Sequence, residues 1–392
     1  MTETVLCVDI GTTSLKAALV TAEGGVVSFC SVPVKASQSK YAACSWYGTF
    51  LSAVRKLASD IKGEVMLKGI AVSGNGPTVV SDCGYTVFWN DDLSDVKLPS
   101  AADLDSDAAG SLFLPRLFAL KERNPRLYKK AKYIFSGPEY FIYILTGHVV
   151  TILPEERFMS AYWNEKTCKT FGIDADKLPP FVGVGACCGF ADKRTLADIL
   201  VEGTRGCGIK SNDILVVPQE CPVFAGGPDF VSALIGTGTL LAGRLCDRCG
   251  SSEGLNFCTE RPVTGEGLRT LPSVIPDLWN VSYLIPESGR LSGAERIEAV
   301  EKGITCLKNA SGRAGISFPS EMAVTGGQTN DELLLKEKSE RLGMKLLCPC
   351  ENHFVHSELL GDACAAWYGL GVYESLQLAS EKIVRMKVYE NL

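Results

Sequence analysis

The sequence lacks three features, and each absence excludes a class of protein. No stretch reaches the roughly 18 apolar residues of a membrane span, so we expect no membrane partner. Basic residues are not in excess, since 39 lysines and arginines face 45 aspartates and glutamates. A nucleic-acid partner would require a basic face, so none is expected. The N-terminus has no basic region followed by an apolar one, which predicts a cytoplasmic protein without a secretion signal.

The remaining composition is that of a folded globular protein. Hydrophobic residues make up 46% and charged residues 21% of the chain, which argues against disorder. At 392 residues the chain is too long for one ordinary core. The length therefore predicts two domains.

Sixteen cysteines are scattered along the chain. Cys7, Cys30 and Cys364 lie in apolar runs, where cysteine behaves as a small buried hydrophobe. Without a secretion signal, a framework of disulfides is not expected. Cys246 and Cys249 form a C-x-x-C, and the nearest other pair is in residues 348–350. A zinc site built from both pairs is disfavoured because neither has the usual ligand spacing.

Residues 5–20, VLCVDIGTTSLKAALV, are the stretch around which the rest can be interpreted. Two runs of β-forming residues flank Gly11-Thr12-Thr13, which predicts a tight hairpin. The N–H groups and hydroxyls of such a turn converge on a small volume that suits a phosphate. Asp9, at the end of the first strand, has the oxygen ligands that Mg²⁺ prefers. An ordinary hairpin with an Asp in its turn fits the same pattern.

Further along the chain, three more features share this character. Gly226-Gly227 precedes Asp229 at the predicted start of an apolar helix, Phe230 to Leu241, where an Asp would also serve as a cap. Residues 244–259 predict a second strand–turn–strand unit around Gly250-Ser251-Ser252. A short strand then runs into Gly326-Gly327 and a helix, an arrangement that lets the backbone approach an anionic ligand.

Between these motifs, the pattern predicts the following elements. Residues 26–34 continue the opening hairpin as a third strand, residues 46–61 form a helix, and GIAVS (69–73) is a buried strand. The segment 112–146 is expected to be mostly helical and to end at Gly147. Residues 148–220 are expected to be irregular. The small-residue stretch 361–373 predicts a helix used for packing.

The four motifs in this order resemble the FGGY carbohydrate kinases, the sugar and polyol kinases of the actin/hexokinase/Hsp70 superfamily. Any one motif would be a weak signal, but four in order are specific. The resemblance covers most of the chain. It implies an α/β fold with two ribonuclease H-like (actin-like ATPase) domains, mixed sheets flanked by helices and an interdomain cleft. The implied domains are residues 1–241 and residues 242–392, the second being shortened.

The resemblance also implies an activity, the ATP-dependent phosphorylation of a sugar or polyol hydroxyl. Mg-ATP would bind in the interdomain cleft. Asp229 matches the catalytic base of the family, and Asp9 matches the carboxylate that organises Mg²⁺. ATP, Mg²⁺ and a sugar or polyol are thus the expected cofactors and partners, and a homodimer is one assembly that the sequence allows.

The remaining site residues follow from the same resemblance. Residues matching the ATP- and phosphate-binding motifs are Gly11, Thr12, Thr13, Lys16, Gly250, Ser251, Ser252, Gly326, Gly327, Gln328, Asn330 and Asp331. Gly236-Thr237-Gly238 also spells a phosphate-loop string, but its position at the end of the apolar helix favours residues 250–252 instead.

The expected substrate-binding residues are Asn75, Trp89, Asn90, Asp91 and Asp229, and here the sequence departs from the family. The loop that carries sugar-reading side chains in xylulokinases and glycerol kinases is only Asn75-Gly76-Pro77. This difference argues against xylulose and glycerol as substrates. Trp89-Asn90-Asp91 resembles the Trp-x-Asp-x-Arg sugar loop, but Leu93 replaces the Arg. Trp89 is either a stacking platform for a sugar or a core residue before a polar turn.

The sequence leaves two alternatives open. The loop Asn75-Gly76-Pro77 lacks sugar-reading side chains and the second domain is short, which would suit a catalytically degenerate relative that binds a sugar or nucleotide and has a regulatory role. Another ATPase of the same superfamily is the second alternative, although it would not need Asp229 after the Gly-Gly pair.

Overall fold

In the computed structural model, the described residues are 1–35, 39–99, 110–206, 214–249, 253–349 and 356–389. The predicted second phosphate loop, residues 250–252, lies outside them. The chain forms two compact units. The first unit comprises residues 1–22, 26–229 and 365–373, and the second comprises residues 23–25, 230–364 and 374–392.

The first unit is built on a mixed sheet. Its strands are β1 (Thr2–Ile10), β2 (Ser14–Val20), β3 (Val26–Pro33), β4 (Glu64–Gly74), β10 (Cys187–Phe190), β11 (Ile214–Val216) and β12 (Pro222–Pro228). The order is β10-β12-β4-β1-β2-β3, with β11 beside β4. The first three strands form an antiparallel meander, whereas β4 is parallel to β1 and β12 is parallel to β4. This places the carboxyl ends of β1, β4 and β12 at one edge.

Among the described residues, short strands and helices complete the first unit. The short strands are β5 (Val79–Ser81), β6 (Thr86–Val87), β7 (Ile134–Ser136), β8 (Thr151–Ile152) and β9 (Phe181–Val182). The helices are α1 (Trp46–Asp60), α2 (Leu114–Arg123), α3 (Pro125–Lys130), α4 (Gly137–Thr146), α5 (Glu165–Thr170) and α6 (Lys193–Gly206). Trp46 and Phe50 of α1 and Phe141 of α4 are buried against the inner face of the sheet. Burial of such large side chains stabilises the unit by several kcal/mol, at roughly 25 cal/mol per Å².

The second unit repeats this plan. After α7 (Asp229–Gly236), its strands are β13 (Leu245–Cys249), β14 (Glu253–Thr259), β15 (Leu268–Pro272), β16 (Trp279–Ile285), β17 (Glu321–Gly326), β18 (Lys345–Pro349) and β19 (Met386–Val388). The order is β15-β16-β14-β13-β17-β18-β19. As in the first unit, an antiparallel group comes first, here β13, β14 and β16. It is followed by parallel strands, because β17 pairs in parallel with β13, and β18 pairs in parallel with β17. The helices are α8 (Gly293–Arg313), α9 (Glu332–Leu342), α10 (Ser357–Gly369) and α11 (Leu376–Ile383). Residues 365–369 of α10 belong to the first unit.

The predicted α/β class is confirmed, and so are the hairpin, the third strand, the helix after Trp46 and the Gly147 helix end. The segment 112–146 is mostly helical, as predicted, with the strand β7 between its helices. Two local predictions were wrong. The apolar helix after Asp229 ends at Gly236, before Leu241. The stretch 148–220, predicted to be irregular, contains α5 and α6. None of the helices in the described parts of the chain is long and apolar enough to cross a membrane.

Candidate active site

The carboxyl edge of the first sheet gathers the predicted site residues of the first unit. Asp9 on β1 is paired with Ser73 on β4, and Ser73 is paired with Gly227 on β12. With strands about 4.8 Å apart, Asp9 and Gly227 are separated by roughly 10 Å of backbone. Asp229 follows Gly227 by two residues, at the first turn of α7. Open α/β sheets bind their ligands outside the carboxyl ends of their strands.

The Gly226-Gly227 pair shapes the approach to Asp229. The register of β12 against β4 shifts between Ala225 and Gly227, so Gly226 is an extra residue in a β-bulge. Gly227 has a φ of 135°, which residues with a side chain rarely adopt. Both glycines therefore serve to redirect the chain before Asp229.

Asp9 is buried, and one of its carboxylate oxygens is paired with a lysine. Its Oδ2 accepts a hydrogen bond from Lys16 Nζ at 3.1 Å, across the β1–β2 hairpin. Its Oδ1 is buried and has no hydrogen-bond partner in the described part of the chain. An unsatisfied buried carboxylate oxygen is costly, so a cation or its water shell would stabilise it. The residues present therefore fit a Mg²⁺ ion held by Asp9.

The Asn75 loop lies between the two aspartates. Asn75 N donates to Ile10 O at 3.0 Å, which fixes the loop beside the end of β1. On the other side, a Cβ on Gly76 would lie 3.1 Å from the ring of Pro228, the residue before Asp229. Asn75 is buried, and its side-chain Nδ2 has no hydrogen-bond partner among the described residues. The loop thus holds one unsatisfied amide donor.

Trp89 joins the predicted sugar loop to the predicted phosphate loop. Its indole N–H donates to the Thr12 hydroxyl at 3.2 Å, and its side chain is 43% exposed. Trp89 is therefore not a core residue, which removes one of the two interpretations of its sequence. Asn90 is exposed beside it. The Asp91 carboxylate accepts from Phe88 N at 3.1 Å and lies 4.0 Å from Arg123.

Two arginines of α2 contact the predicted sugar loop, and neither was predicted from the sequence. Arg116 donates to the carbonyls of Phe88, Leu112 and Trp89, and burial lowers the pKa of its guanidinium. Arg123 pairs with Asp95 and donates to Asp92 O. Their positions in LPRLFALKER gave no signal, because an exposed helix face commonly carries arginine.

Glu139 is a third residue that the sequence did not single out. It lies in the first turn of α4 and is buried without a cationic partner among the described residues. Its Oε1 accepts from Ile152 N at 2.8 Å, and its Oε2 accepts from the Ser136 hydroxyl. Burial raises the pKa of Glu139 to about 7.

In the second unit, the predicted ATP-binding residues 326–331 form a turn after β17. Gly326 has a φ of 89°, and a Cβ there would lie 1.7 Å from Cys249 O, so only glycine fits. A Cβ on Gly327 would meet nothing within 4 Å, so the backbone is open at that residue. Gln328 is buried, and Asn330 is exposed. Asp331 caps α9 by accepting from Leu334 N at 3.0 Å.

The fourteen described cysteines are all free thiols. Cys249 of the C-x-x-C lies in a buried group with Asp247 and Glu253, whose ligand atoms are within 4.8 Å of one another. The ammonium of Lys338 lies among them, 2.6 Å from Asp247 Oδ2 and 2.9 Å from Glu253 Oε1.

Comparisons with known proteins agree on one group of enzymes. The xylulose kinase of Bacillus subtilis is 24% identical over 276 residues, covering 63% of this chain and 52% of that protein. The xylulose kinase of Lactococcus lactis is 24% identical over 267 residues, covering 60% of this chain and 49% of that protein. The chain thus matches about half the length of these curated relatives. No protein-family model matches it.

Solved structures match over nearly the whole chain. Plasmodium falciparum glycerol kinase with ADP superposes with a TM-score of 0.74 at 15% identity, covering 98% of this chain and 93% of that one. Lactobacillus acidophilus gluconate kinase gives 0.71 at 13% identity, covering 99% and 94%. The ligand-bound xylulose kinase of the same organism gives 0.70 at 14% identity, covering 99% and 93%. The chain therefore has the fold of these sugar and polyol kinases, and its sequence is similar to xylulose kinases over about 60% of its length.

Proposed function

We propose that this protein transfers a phosphoryl group from ATP to a hydroxyl of a sugar or polyol. The observation that carries the proposal is the pairing of Asp9, Ser73 and Gly227 across three parallel strands, which brings Asp9 and the segment leading to Asp229 to one edge. The kinase relatives support it, since xylulose, gluconate and glycerol kinases all phosphorylate such a hydroxyl.

In this proposal Asp229 is the general base. It accepts the proton of the substrate hydroxyl as that oxygen attacks the γ-phosphate of ATP. Asp9 holds Mg²⁺ directly or through water, using the oxygen that has no protein partner. The ion, when bound, neutralises phosphate charge. Thr12 and Thr13 contribute donors to the phosphates, and Lys16 adds a positive charge beside Asp9. The N–H of Gly11 donates to Ser14 O at 3.0 Å, so Gly11 contributes by shaping the turn.

The substrate would be bound by a mixed set of groups. Asn75 offers an unsatisfied amide N–H, and Trp89 offers an exposed aromatic face held at Thr12. Asn90 is exposed and available for hydroxyls. Asp91 is already engaged by Phe88 N and lies near Arg123, so it would act on the loop more than on the sugar. Gly326, Gly327, Asn330 and Asp331 stay proposed as nucleotide-binding residues.

The proposal is tested by measuring ADP release with Mg-ATP over a panel of pentoses, hexoses, polyols and sugar acids. We expect turnover that depends on one acceptor. Asp229→Asn should lower kcat by roughly 10²–10⁴-fold, the usual contribution of a general base. Asp176→Asn, which changes an exposed aspartate of the same unit, is the matched control.

Three outcomes would reject the proposal. Turnover without any acceptor would indicate an ATPase. Full acceptor-dependent turnover by Asp229→Asn would show that Asp229 is not the general base. Binding of a sugar or nucleotide without turnover by the wild-type protein would favour a regulatory relative.

A further inference from the structure

Lys338 is a fully buried lysine in the second unit, and its charge is enclosed by partners from three segments. Its ammonium donates to Asp247 Oδ2 at 2.6 Å, to Glu253 Oε1 at 2.9 Å and to Gln328 Oε1 at 2.8 Å. Cys249 Sγ lies 3.9 Å away. All of these side chains are buried. A lysine can be buried in this way only when its charge is paired and hydrogen-bonded.

The cluster around Lys338 contains more acidic groups than basic groups. Two carboxylates face one ammonium, and Asp247 Oδ1 is buried with no hydrogen-bond partner among the residues that the structure describes. Burial raises the pKa of Asp247 to about 7, against the opposing effect of the Lys338 charge. Burial alone would lower the pKa of Lys338, but the surrounding Asp247, Cys249 and Glu253 outweigh it and raise the pKa.

The same three acidic and thiol side chains could in principle hold a metal ion. The Lys338 ammonium already lies at hydrogen-bond distance from both carboxylates. A metal ion would have to displace this buried ammonium and leave it without its two carboxylate partners. Lys338 is therefore the cation of this cluster.

Lys338 connects parts of the chain that lie next to the predicted nucleotide-binding residues. Asp247 is near the end of β13, and Glu253 is the first residue of β14, so they flank residues 250–252 in sequence. Gln328 belongs to the turn after β17, and its Nε2 also donates to Glu253 Oε2 at 3.0 Å. Both ends of the Gln328 amide are thus engaged by the cluster. Gln328 would therefore contribute to nucleotide binding through its backbone.

We propose that Lys338 is a positioning residue for nucleotide binding, because its ammonium holds the end of β13, the start of β14 and the Gly326–Gln328 turn in one arrangement. This inference rests on the proposed kinase function. Lys338 touches no substrate in it. Its effect is to keep the backbone of the turn, and the strand ends on either side of residues 250–252, at fixed positions.

The test is the affinity for ATP, titrated without sugar, together with KM for ATP and for the sugar. Lys338→Met should weaken ATP binding by about tenfold or more and leave the sugar KM within about twofold. The variant would displace backbone groups proposed to bind the nucleotide and leave the proposed sugar-binding groups in place. Lys336→Met changes an exposed lysine two residues away on α9 and should change neither value.

A second variant separates positioning from folding. Removing one partner of a buried ion pair is strongly destabilising, whereas replacing all the charged partners by apolar residues of similar volume is often tolerated. The combination Asp247→Val, Glu253→Met and Lys338→Met should regain most of the thermal stability and still bind ATP weakly. If its ATP affinity returns together with its stability, Lys338 has only a structural role and the inference is wrong.

The remaining outcomes also decide the matter. Equal loss of ATP and sugar binding in Lys338→Met, or no change in either, overturns the inference, as does wild-type protein that binds no ATP. Wild-type protein that binds ATP but transfers no phosphoryl group rejects the proposed kinase function alone. The effect of Lys338 on ATP affinity is then still measured and still decides the inference.

Discussion

Glu139 should make the first unit less stable as the pH rises through neutrality. It is fully buried in α4 and accepts hydrogen bonds from Ile152 N and the Ser136 hydroxyl. Burial raises its pKa from 4.5 to about 7 in the folded protein. Between these two values the folded state binds more protons than the unfolded state. The free energy of unfolding therefore falls as pH rises from 4.5 to above 7.

The size of the effect follows from the two pKa values. One pKa unit corresponds to about 1.4 kcal/mol, so the full loss is roughly 3 kcal/mol. Most of this loss of unfolding free energy occurs below and around pH 7. Between pH 5.5 and pH 8 we expect a loss of about 2 kcal/mol. Glu139→Gln keeps the shape and the acceptor for Ile152 N but cannot ionise, so the variant should not show this loss.

The measurement is urea unfolding of both proteins at several pH values, followed by tryptophan fluorescence. Four of the five tryptophans lie in the first unit, so the signal reports mainly on it. The difference in unfolding free energy between Glu139→Gln and wild type should grow by about 2 kcal/mol from pH 5.5 to pH 8. Glu122→Gln, at an exposed position on α2, should follow the wild type.

A difference that does not change with pH would refute the reasoning. It would mean that Glu139 ionises in the folded state as easily as in water. A difference that shrinks with rising pH would mean that its charged form is stabilised by the fold.

Three further predictions concern single contacts. Asp9→Asn should raise the Mg²⁺ concentration needed for half-maximal rate and lower kcat, as shown by Mg²⁺ titration of ADP release; an unchanged titration contradicts the metal role. Trp89→Ala removes the exposed ring and its bond to Thr12, so the sugar KM should rise while the KM for ATP stays the same, and equal changes in both would count against it. Gly361→Ala would place a Cβ 1.9 Å from Ser232 O. It should lower stability by about 1–3 kcal/mol in thermal unfolding, whereas Gly312→Ala, where a Cβ meets nothing within 4 Å, should not.

Local patterns were enough to predict the elements that carry the motifs. The opening hairpin could be predicted because two apolar β-forming runs flank a Gly-Thr-Thr turn, and the structure has strands at Thr2–Ile10 and Ser14–Val20. The strand before Gly326 and the helix after Asp331 were predictable for the same reason. In each case the signal is short-range, since it depends on residue spacing and turn chemistry.

Predictions failed where tertiary contacts outweigh local preference. Leu241 continues an apolar run, yet α7 ends at Gly236, since the following Thr237 bonds to Leu234 O and Gly238 adopts a φ of 67°. Residues Ile134–Ser136 read as a continuation of a helix but pair with β5 as a strand. Pairing partners 50 or more residues away cannot be inferred from the period of a short segment.

The order of motifs along the chain was sufficient to predict the kinase fold and to single out Asp9, Asp229 and the glycine turns. Only the tertiary structure decided which groups surround them. It placed β4 between β1 and β12, so that Asp9 and the chain before Asp229 share one edge. It also enclosed Lys338 with Asp247, 91 residues away in sequence. A buried charge is determined by its partners, and those partners meet only when the chain has folded.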